Sequence, residues 1–311
     1  MASPRSMVGV PHPIPYQGSK RWIAKAIVSC LPKDCIRLVE PFAGSAAVAL
    51  AAAYYGRAKR FWVNDINAPL VDLLRKIVEE PDELARQYLR LWDEQEGQER
   101  AFYNKSRADF NRTHDPDCLL YLLARCVKAA IRYNSKGEFN NSPDNRRKGA
   151  CPETMRSHIL AASALLRGKT VFTAIDYRQV LDAADPADVI YMDPPYQGVC
   201  GNRNQRYLRG VPFEEFVAAL EGLNAKNIAY IVSYDGRTGN KAHGRALPKS
   251  LDLLHLEIDA GPSTQATLLG RPSRTYESLY LSPMLMSAVN HLPLALGPKP
   301  QQVTLAFSCK P

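Results

Sequence analysis

Short apolar and β-branched runs recur along the chain at Ile36–Val39, Phe61–Asp65, Val171–Asp176, Val189–Met192 and Asn227–Tyr234. Each predicts a β-strand. Stretches with apolar residues at helical spacing follow or separate them, at Trp22–Leu31, Ala46–Tyr55 and Phe213–Leu223. Alternating strands and helices predict an α/β fold with an open parallel sheet. The alternation stops after Asp65. Leu70–Glu80, Asp82–Glu94, Glu99–Asn111 and Asp117–Ile131 all read as helices, with start signals such as Asp115-Pro116. Four helices without a strand predict an inserted helical lobe, closed by a polar loop over 132–143 and a helix over Pro152–Leu166. Leu251–Ile258 and Tyr276–Leu281 predict an antiparallel C-terminal hairpin at the sheet edge. The expected organisation is a discontinuous catalytic domain over 14–68 and 168–285, a helical domain over 69–167, and tails at 1–13 and 286–311.

Composition narrows the function classes. The chain has 311 residues, 46% hydrophobic and 23% charged, with a formal net charge of +9, which favours a polyanionic partner. Seven cysteines contain no Cys-x-x-Cys pair, and the six histidines show no ligand spacing, so no metal site is expected. The most apolar stretch, Leu38–Tyr55, carries Glu40 and Pro41 near its start. No membrane span is expected, and the reading is of a cytoplasmic protein, monomeric or weakly dimeric.

The strand endings carry the chemistry. Val189-Ile190-Tyr191-Met192 runs into Asp193-Pro194-Pro195-Tyr196. Neither proline can donate to a ladder, so the strand must stop there, leaving a carboxylate, a bare carbonyl and an aromatic ring at its carboxyl end. The strands at 61, 171 and 189 end in aspartate and the strand at 36 ends in Glu40. In an open parallel sheet these acids share the ligand-binding rim. Glu40-Pro41-Phe42-Ala43-Gly44-Ser45 is a small-residue turn before a helix, suited to bring backbone amides close to a ligand. Asp65 is placed either to bind ribose hydroxyls or to cap the helix near Asn67. Lys20, at the start of the first helix, opposes the helix dipole, so it either has an anionic neighbour or is solvated. Cationic loops surround this rim. Arg203, Arg206 and Arg209 lie in one, Arg237, Lys241, Arg245 and Lys249 in another, and Arg132, Lys136, Arg146, Arg147 and Lys148 in the loop after the lobe. Cationic loops around an acidic pocket suit phosphate contacts around a buried base.

Such a pocket suits one reaction. An adenine amino group is a poor nucleophile because its lone pair is delocalised into the ring. The Asp193 carboxylate and Pro194 carbonyl can accept its hydrogens, and Tyr196 can stack on a base rotated out of a duplex. A sulfonium methyl suits the Gly44 turn, because the chain has neither a phosphate-binding lysine turn nor a three-glycine dinucleotide fingerprint.

These segments resemble a known family. Asp193-Pro194-Pro195-Tyr196 resembles the catalytic motif of amino-methylating DNA methyltransferases, and Glu40–Ser45 their S-adenosylmethionine turn. With Tyr16-Gln17-Gly18-Ser19-Lys20 first, a helical insertion, and Arg132-Tyr133-Asn134 before Gly137-Glu138-Phe139-Asn140, the order is similar to the Dam-type DNA adenine-N6 methyltransferases. The resemblance implies a Rossmann-like methyltransferase sheet with helices on both faces and the insertion as the target-recognition lobe. It implies that Tyr16, Lys20, Glu40, Phe42, Gly44, Asp65, Asp176, Tyr177 and Asp193 frame the S-adenosylmethionine pocket, and that Asp193, Pro194, Pro195 and Tyr196 are catalytic. Arg132 matches an arginine that faces DNA in relatives, and Asn134, Lys136, Arg146, Arg147, Lys148, Arg203, Arg206 and Arg209 complete the expected contacts to double-stranded DNA. Two departures stand out. Val127-Lys128-Ala129-Ala130-Ile131 differs from the aromatic-rich version of enzymes acting within GATC, and Ser19 replaces a glycine. The expected activity is site-specific adenine-N6 methylation, within a restriction-modification system whose endonuclease acts separately or as an orphan enzyme. Methylation of cytosine N4 or RNA adenine, and a DNA-binding module with a retired core, stay open as alternatives.

Overall fold

The computed structural model describes residues 9–146, 148–195, 210–238, 241–243, 245–262, 274–288 and 304–305. The expected site residues Arg147, Tyr196, Arg203, Arg206 and Arg209 lie outside them.

Strands β1 (Arg37–Glu40), β2 (Arg60–Asn64), β3 (Thr170–Thr173), β4 (Asp188–Met192) and β5 (Ala229–Thr238) pair in parallel, in the spatial order β3-β2-β1-β4-β5. A short β6 (Lys241–His243) folds back on the end of β5. The sheet continues through β8 (Arg274–Leu281), antiparallel to both β5 and β7 (Leu254–Pro262), and ends with β9 (Thr304–Leu305) beside β7. The expected C-terminal hairpin is therefore present, with its second strand wedged between β5 and its first. This mixed α/β sheet is Rossmann-like in its parallel half.

Strand β4 is buried along its whole length, so alternate residues serve two cores. Val189 and Tyr191 join the layer containing α1 (Ala24–Ser29), α2 (Ala47–Tyr54) and the lobe; Ile190 and Met192 pack with α8 (Tyr177–Asp182) and α9 (Phe213–Ala225). The lobe consists of α3 (Ala68–Glu79), α4 (Pro81–Glu94), α5 (Glu99–Thr113), α6 (Pro116–Arg125) and α7 (Pro152–Leu166). A last helix, α10 (Pro283–Ala288), follows β8. Among the described residues no helix is long and apolar enough to cross a membrane.

Several local expectations are revised. The helix expected over Trp22–Leu31 is split into a 3-10 turn at Lys20–Trp22 and α1. Beside that turn, the Ser19 hydroxyl accepts from Ser45 Oγ at 3.0 Å. The helix expected to reach Ile131 stops at Arg125, although its apolar spacing continues. There the Asn141 amide donates to the carbonyls of Val127 and Ala130, both at 2.9 Å, and the Val127 N–H donates to Ser142, so the backbone is held away from helical bonding. Strand β5 runs four residues past Tyr234, because the antiparallel β8 extends its ladder across a bulge between Ser233 and Gly236. Pro11 and Pro13, expected in a tail, are buried, and the His12 N–H donates to His158 Nδ1 of α7 at 3.1 Å.

Two polar clamps fix the sheet ends. At the amino end Arg37 meets Asp188 in a fork, Nε to Oδ1 at 2.7 Å and Nη2 to Oδ2 at 2.6 Å. At the carboxyl end Asn64 is fully buried and uses its whole amide. Its Nδ2 donates to the Pro41 and Ile175 carbonyls at 3.0 Å each, while its Oδ1 accepts from Thr173 Oγ1 at 2.7 Å and the Ile175 N–H at 3.1 Å. This one side chain ties the turn after β1 to the end of β3. Asn64→Asp replaces a donor with an oxygen facing two carbonyls, so the protein is expected to lose about 2–4 kcal/mol of stability. Urea unfolding should show a lower midpoint with an unchanged slope; an unchanged midpoint would contradict the clamp.

Candidate active site

The chain runs outward from β1 to β2, passes through the lobe to β3, then returns through α8 to β4 on the other side of β1. Between β1 and β4 the connections diverge, opening a crevice at the carboxyl ends. A cavity of about 600 Å³ lies there. Tyr16, Lys20, Glu40, Phe42, Gly44, Asp65, Asp176, Tyr177, Asp193, Pro194 and Pro195 all line it.

The turn after β1 is shaped by its backbone. Gly44 and Ala46 both adopt left-handed angles, at φ 52°, just before α2 begins. A side chain at Gly44 is disfavoured for a second reason, since a Cβ there would lie 3.1 Å from the Tyr16 ring, which would have to shift. The Gly44 N–H donates to Asp65 Oδ2 at 2.9 Å, and the Asn67 N–H donates to Asp65 Oδ1 at 3.0 Å. Asp65 thus supports the turn and the start of α3 while facing the cavity. Burial raises its carboxyl above the usual range, opposed by those two N–H groups. Glu40 is almost wholly buried and accepts from the Ala49 N–H in the first turn of α2, but its Oε1 has no partner among the described residues. Burial, with Asp193 nearby, pushes its carboxyl up to about 8.

At the end of β4, Lys20 Nζ meets both oxygens of Asp193, at 2.8 and 2.7 Å, with Glu277 of β8 at 4.0 Å. The anionic neighbour anticipated for Lys20 is therefore Asp193. Elsewhere the cavity wall is aromatic, where the Phe42 and Tyr177 rings pack on one another with centroids 5.0 Å apart and planes tilted by 34°. The buried Tyr177 hydroxyl has no partner among the described residues. Asp176 accepts from the Arg178 N–H at 3.0 Å to cap α8 and is forked by the Arg178 guanidinium at 2.9 and 3.0 Å.

The described residues expected to face DNA, Arg132, Asn134, Lys136, Arg146 and Lys148, lie between α6 and α7 of the lobe. Residues 132–140 form a hairpin in which Tyr133 bridges to Phe139 and the Asn140 N–H donates to the Arg132 carbonyl. Asn134 closes its turn. Its Oδ1 accepts from the Lys136 and Glu138 N–H groups, and its Nδ2 donates to Glu138 Oε2. Lys136 is exposed at the tip. Arg132 is half-buried, with its Nε unpartnered among the described residues. Arg146 is exposed beside Asp144, and Lys148 is exposed with Glu99 at 3.8 Å. The cavity also has walls that were not among the expected site residues, including Tyr133, Glu215, Tyr276 and Glu277. Tyr133 at least belongs to a segment that the sequence marks. Glu277 enters only through its pairing opposite Gly236, where a Cβ would lie 2.7 Å from the Tyr276 carbonyl.

Chemically, the cavity offers an aromatic wall, a turn with a supporting acid, and a carboxylate at a proline-terminated strand end. The unpartnered Glu40 and Tyr177 oxygens are places where a polar ligand can complete hydrogen bonds.

Known proteins are similar to this chain in sequence. The chain is 30% identical over 190 residues to the DNA N-6-adenine-methyltransferase of Escherichia phage P1, covering 58% of this chain and 23% of that protein. It is 32% identical over 190 residues to the retron Ec67 DNA adenine methylase of Escherichia coli, covering 59% and 62%. It is 29% identical over 194 residues to the DNA adenine methylase of Escherichia coli strain K12, covering 61% and 66%. The chain thus spans less than two thirds of each of these relatives. The family model described as D12 class N6 adenine-specific DNA methyltransferase matches residues 16–257, which include the turn, the lobe, the hairpin and the Asp193 strand end. This chain belongs to the D12 class N6 adenine-specific DNA methyltransferase family.

Proposed function

We propose that this protein is a site-specific DNA adenine-N6 methyltransferase that uses S-adenosylmethionine and acts on an adenine rotated out of double-stranded DNA. One observation carries the reading. The Asp193-Pro194-Pro195 strand end and the Gly44 turn, on adjacent parallel strands, line a single cavity.

The residues present fit such a donor. The aromatic wall of Phe42 and Tyr177 suits the face or edge of a flat purine, and Asp65 suits ribose hydroxyls. Tyr16, Lys20, Glu40 and Gly44 frame the remainder. When bound, S-adenosylmethionine supplies an electrophilic methyl group on a sulfonium. The protein's task is to prepare the amine. Asp193 and the Pro194 carbonyl accept its two hydrogens, so the nitrogen lone pair leaves conjugation and becomes available for in-line attack. A carboxylate has about four acceptor sites, so Asp193 can hold Lys20 and an amine together. Lys20 fixes the direction of that carboxylate. The prolines end the strand without adding an N–H that would compete for it. Tyr196 is assigned to stacking on the base by its place in the motif.

The lobe is assigned to the duplex, with Arg132, Lys136, Arg146 and Lys148 as its described cations. The proposal is completed by a monomeric or weakly dimeric state in the cytoplasm, the enzyme acting either beside a separate endonuclease or as an orphan.

Asp193→Ala is expected to lower methyl transfer by on the order of 10³-fold while S-adenosylmethionine still binds. Nucleoside mass spectrometry of treated DNA should show N6-methyladenine; N4-methylcytosine as the sole product would overturn the substrate assignment. Replacing Lys136, Arg146 and Lys148 by alanine should flatten the salt dependence of DNA binding, by about one in slope for each phosphate no longer neutralised. An unchanged slope would place those side chains in solvent.

Glu40 predicts a pH dependence of the free protein. Its carboxyl titrates at about 8 when folded, above the ordinary value of 4.5, so the folded state holds more protons between these values. Stability should therefore fall as pH rises through that window, and Glu40→Gln should remove this component. Urea titrations of both proteins across the window check it; identical profiles would contradict the assignment.

A further inference from the structure

The helical lobe supplies part of the cavity wall through Ala130, Ile131 and Tyr133. Two hydrogen bonds tie this wall to the catalytic side. Tyr133 Oη donates to Asn67 Oδ1 at 3.1 Å, and the Gln17 N–H donates to the Ala129 carbonyl at 2.9 Å. Both lead to one place. The Asn67 N–H is held by Asp65, Asp65 holds the Gly44 N–H, and Gly44 lies against the Tyr16 ring. Tyr16 adjoins Gln17, so the contacts close into a circuit around the cavity.

The lobe's share of that circuit is strained. Lys128 and Ala129 both adopt left-handed angles, at φ 60° and 48°, which side-chain-bearing residues avoid. Asn141 holds the strained turn through the Val127 and Ala130 carbonyls. Adjacent non-glycine residues persist in this region only where surrounding bonds over-determine them, and they cluster at sites whose position matters. Immediately beyond lies the 132–140 hairpin. Its far strand is anchored to α5, where Asn111 donates to the Phe139 carbonyl and accepts from the Phe139 N–H. The near strand reaches the catalytic side through the Tyr133 hydroxyl. Burial pushes that hydroxyl up to about 12, so it keeps its proton, and its capacity to donate, at neutral pH.

We propose that Tyr133 is a positioning residue that transmits the placement of the DNA-facing hairpin through Asn67 and Asp65 to the Gly44 turn, so that duplex binding and methyl-donor binding strengthen one another. This rests on the methyltransferase reading of the cavity and lobe. Tyr133→Phe removes one oxygen and retains the ring that packs edge-on against Phe139. Asn67→Ala breaks the same bond from the other side.

The test is calorimetric titration of S-adenosylhomocysteine into the full-length protein, with and without saturating sheared genomic duplex. The wild type, Tyr133→Phe, Asn67→Ala and the double variant are compared, with thermal midpoints measured alongside. In the wild type the duplex should tighten S-adenosylhomocysteine binding by about fivefold or more, and each variant should bring that ratio to within about twofold of unity. The double variant should go no further, because both changes open one bond. By reciprocity the same ratios must appear when DNA is titrated with and without S-adenosylhomocysteine. A wild-type ratio of one, or a variant that keeps the wild-type ratio, overturns the proposal. Weaker binding in the variants with the ratio intact marks a purely structural role and overturns it too. Failure of the wild type to bind S-adenosylhomocysteine at all overturns the methyl-donor reading together with this inference.

Discussion

The parallel pairing of β1 with β4 is the constraint on which the site depends. The Arg37–Asp188 fork sets their register at the amino ends, with Leu38 opposite Val189 and Val39 opposite Ile190. The same register delivers Glu40 and Asp193 to neighbouring positions at the carboxyl ends. Side chains alternate along a strand, so a slip of one residue would turn Asp193 toward the other face and bury its neighbour in the wrong core. The fork, the fully buried β4 and the alternating cores all oppose that slip. Precision at the site is thus inherited from packing at the far end of the sheet.

Lys20 shows how chemistry is assembled from distant parts. It is 173 positions from Asp193 in the chain, yet both carboxylate oxygens are within 2.8 Å of its ammonium. The pair is only slightly exposed, at 12% and 20% of the side-chain surfaces, where desolvation offsets much of the Coulombic gain. Its value lies in orientation. Asn64 acts similarly for the other half of the site by holding the Pro41 carbonyl, and Asp65 by holding the Gly44 amide.

Much of this was legible in sequence because it is encoded locally. Proline ends a strand wherever it falls, so the Asp193-Pro194-Pro195 ending needed no tertiary information. The strand–helix alternation and the helical insertion were readable from hydrophobic spacing. Two roles open to Asp65, ligand contact and support for the next helix, are compatible, since its carboxylate holds the Asn67 N–H and still lines the cavity. What escaped depends on partners far away. The spacing that predicts a helix through Ile131 is overruled by Asn141, and nothing local marks Lys128 or Ala129 for left-handed backbone. Glu277 carries no motif and reaches the cavity because β8 pairs beside β5, a choice made by strand order.

That strand order bears on how the protein is made. Synthesis proceeds from the amino end, so β7 is produced before β8, yet β8 is the strand that joins β7 to β5. Until β8 arrives, β5 has an open edge on the side where the cavity wall will stand, and β7 has no place in the sheet. The ribosome thus releases the parallel half, with the Gly44 turn and Asp193 already present, ahead of the strand carrying Tyr276 and Glu277. In the finished sheet the wall carrying Tyr276 and Glu277 is thus the contribution of a late-made strand seated in an interior position.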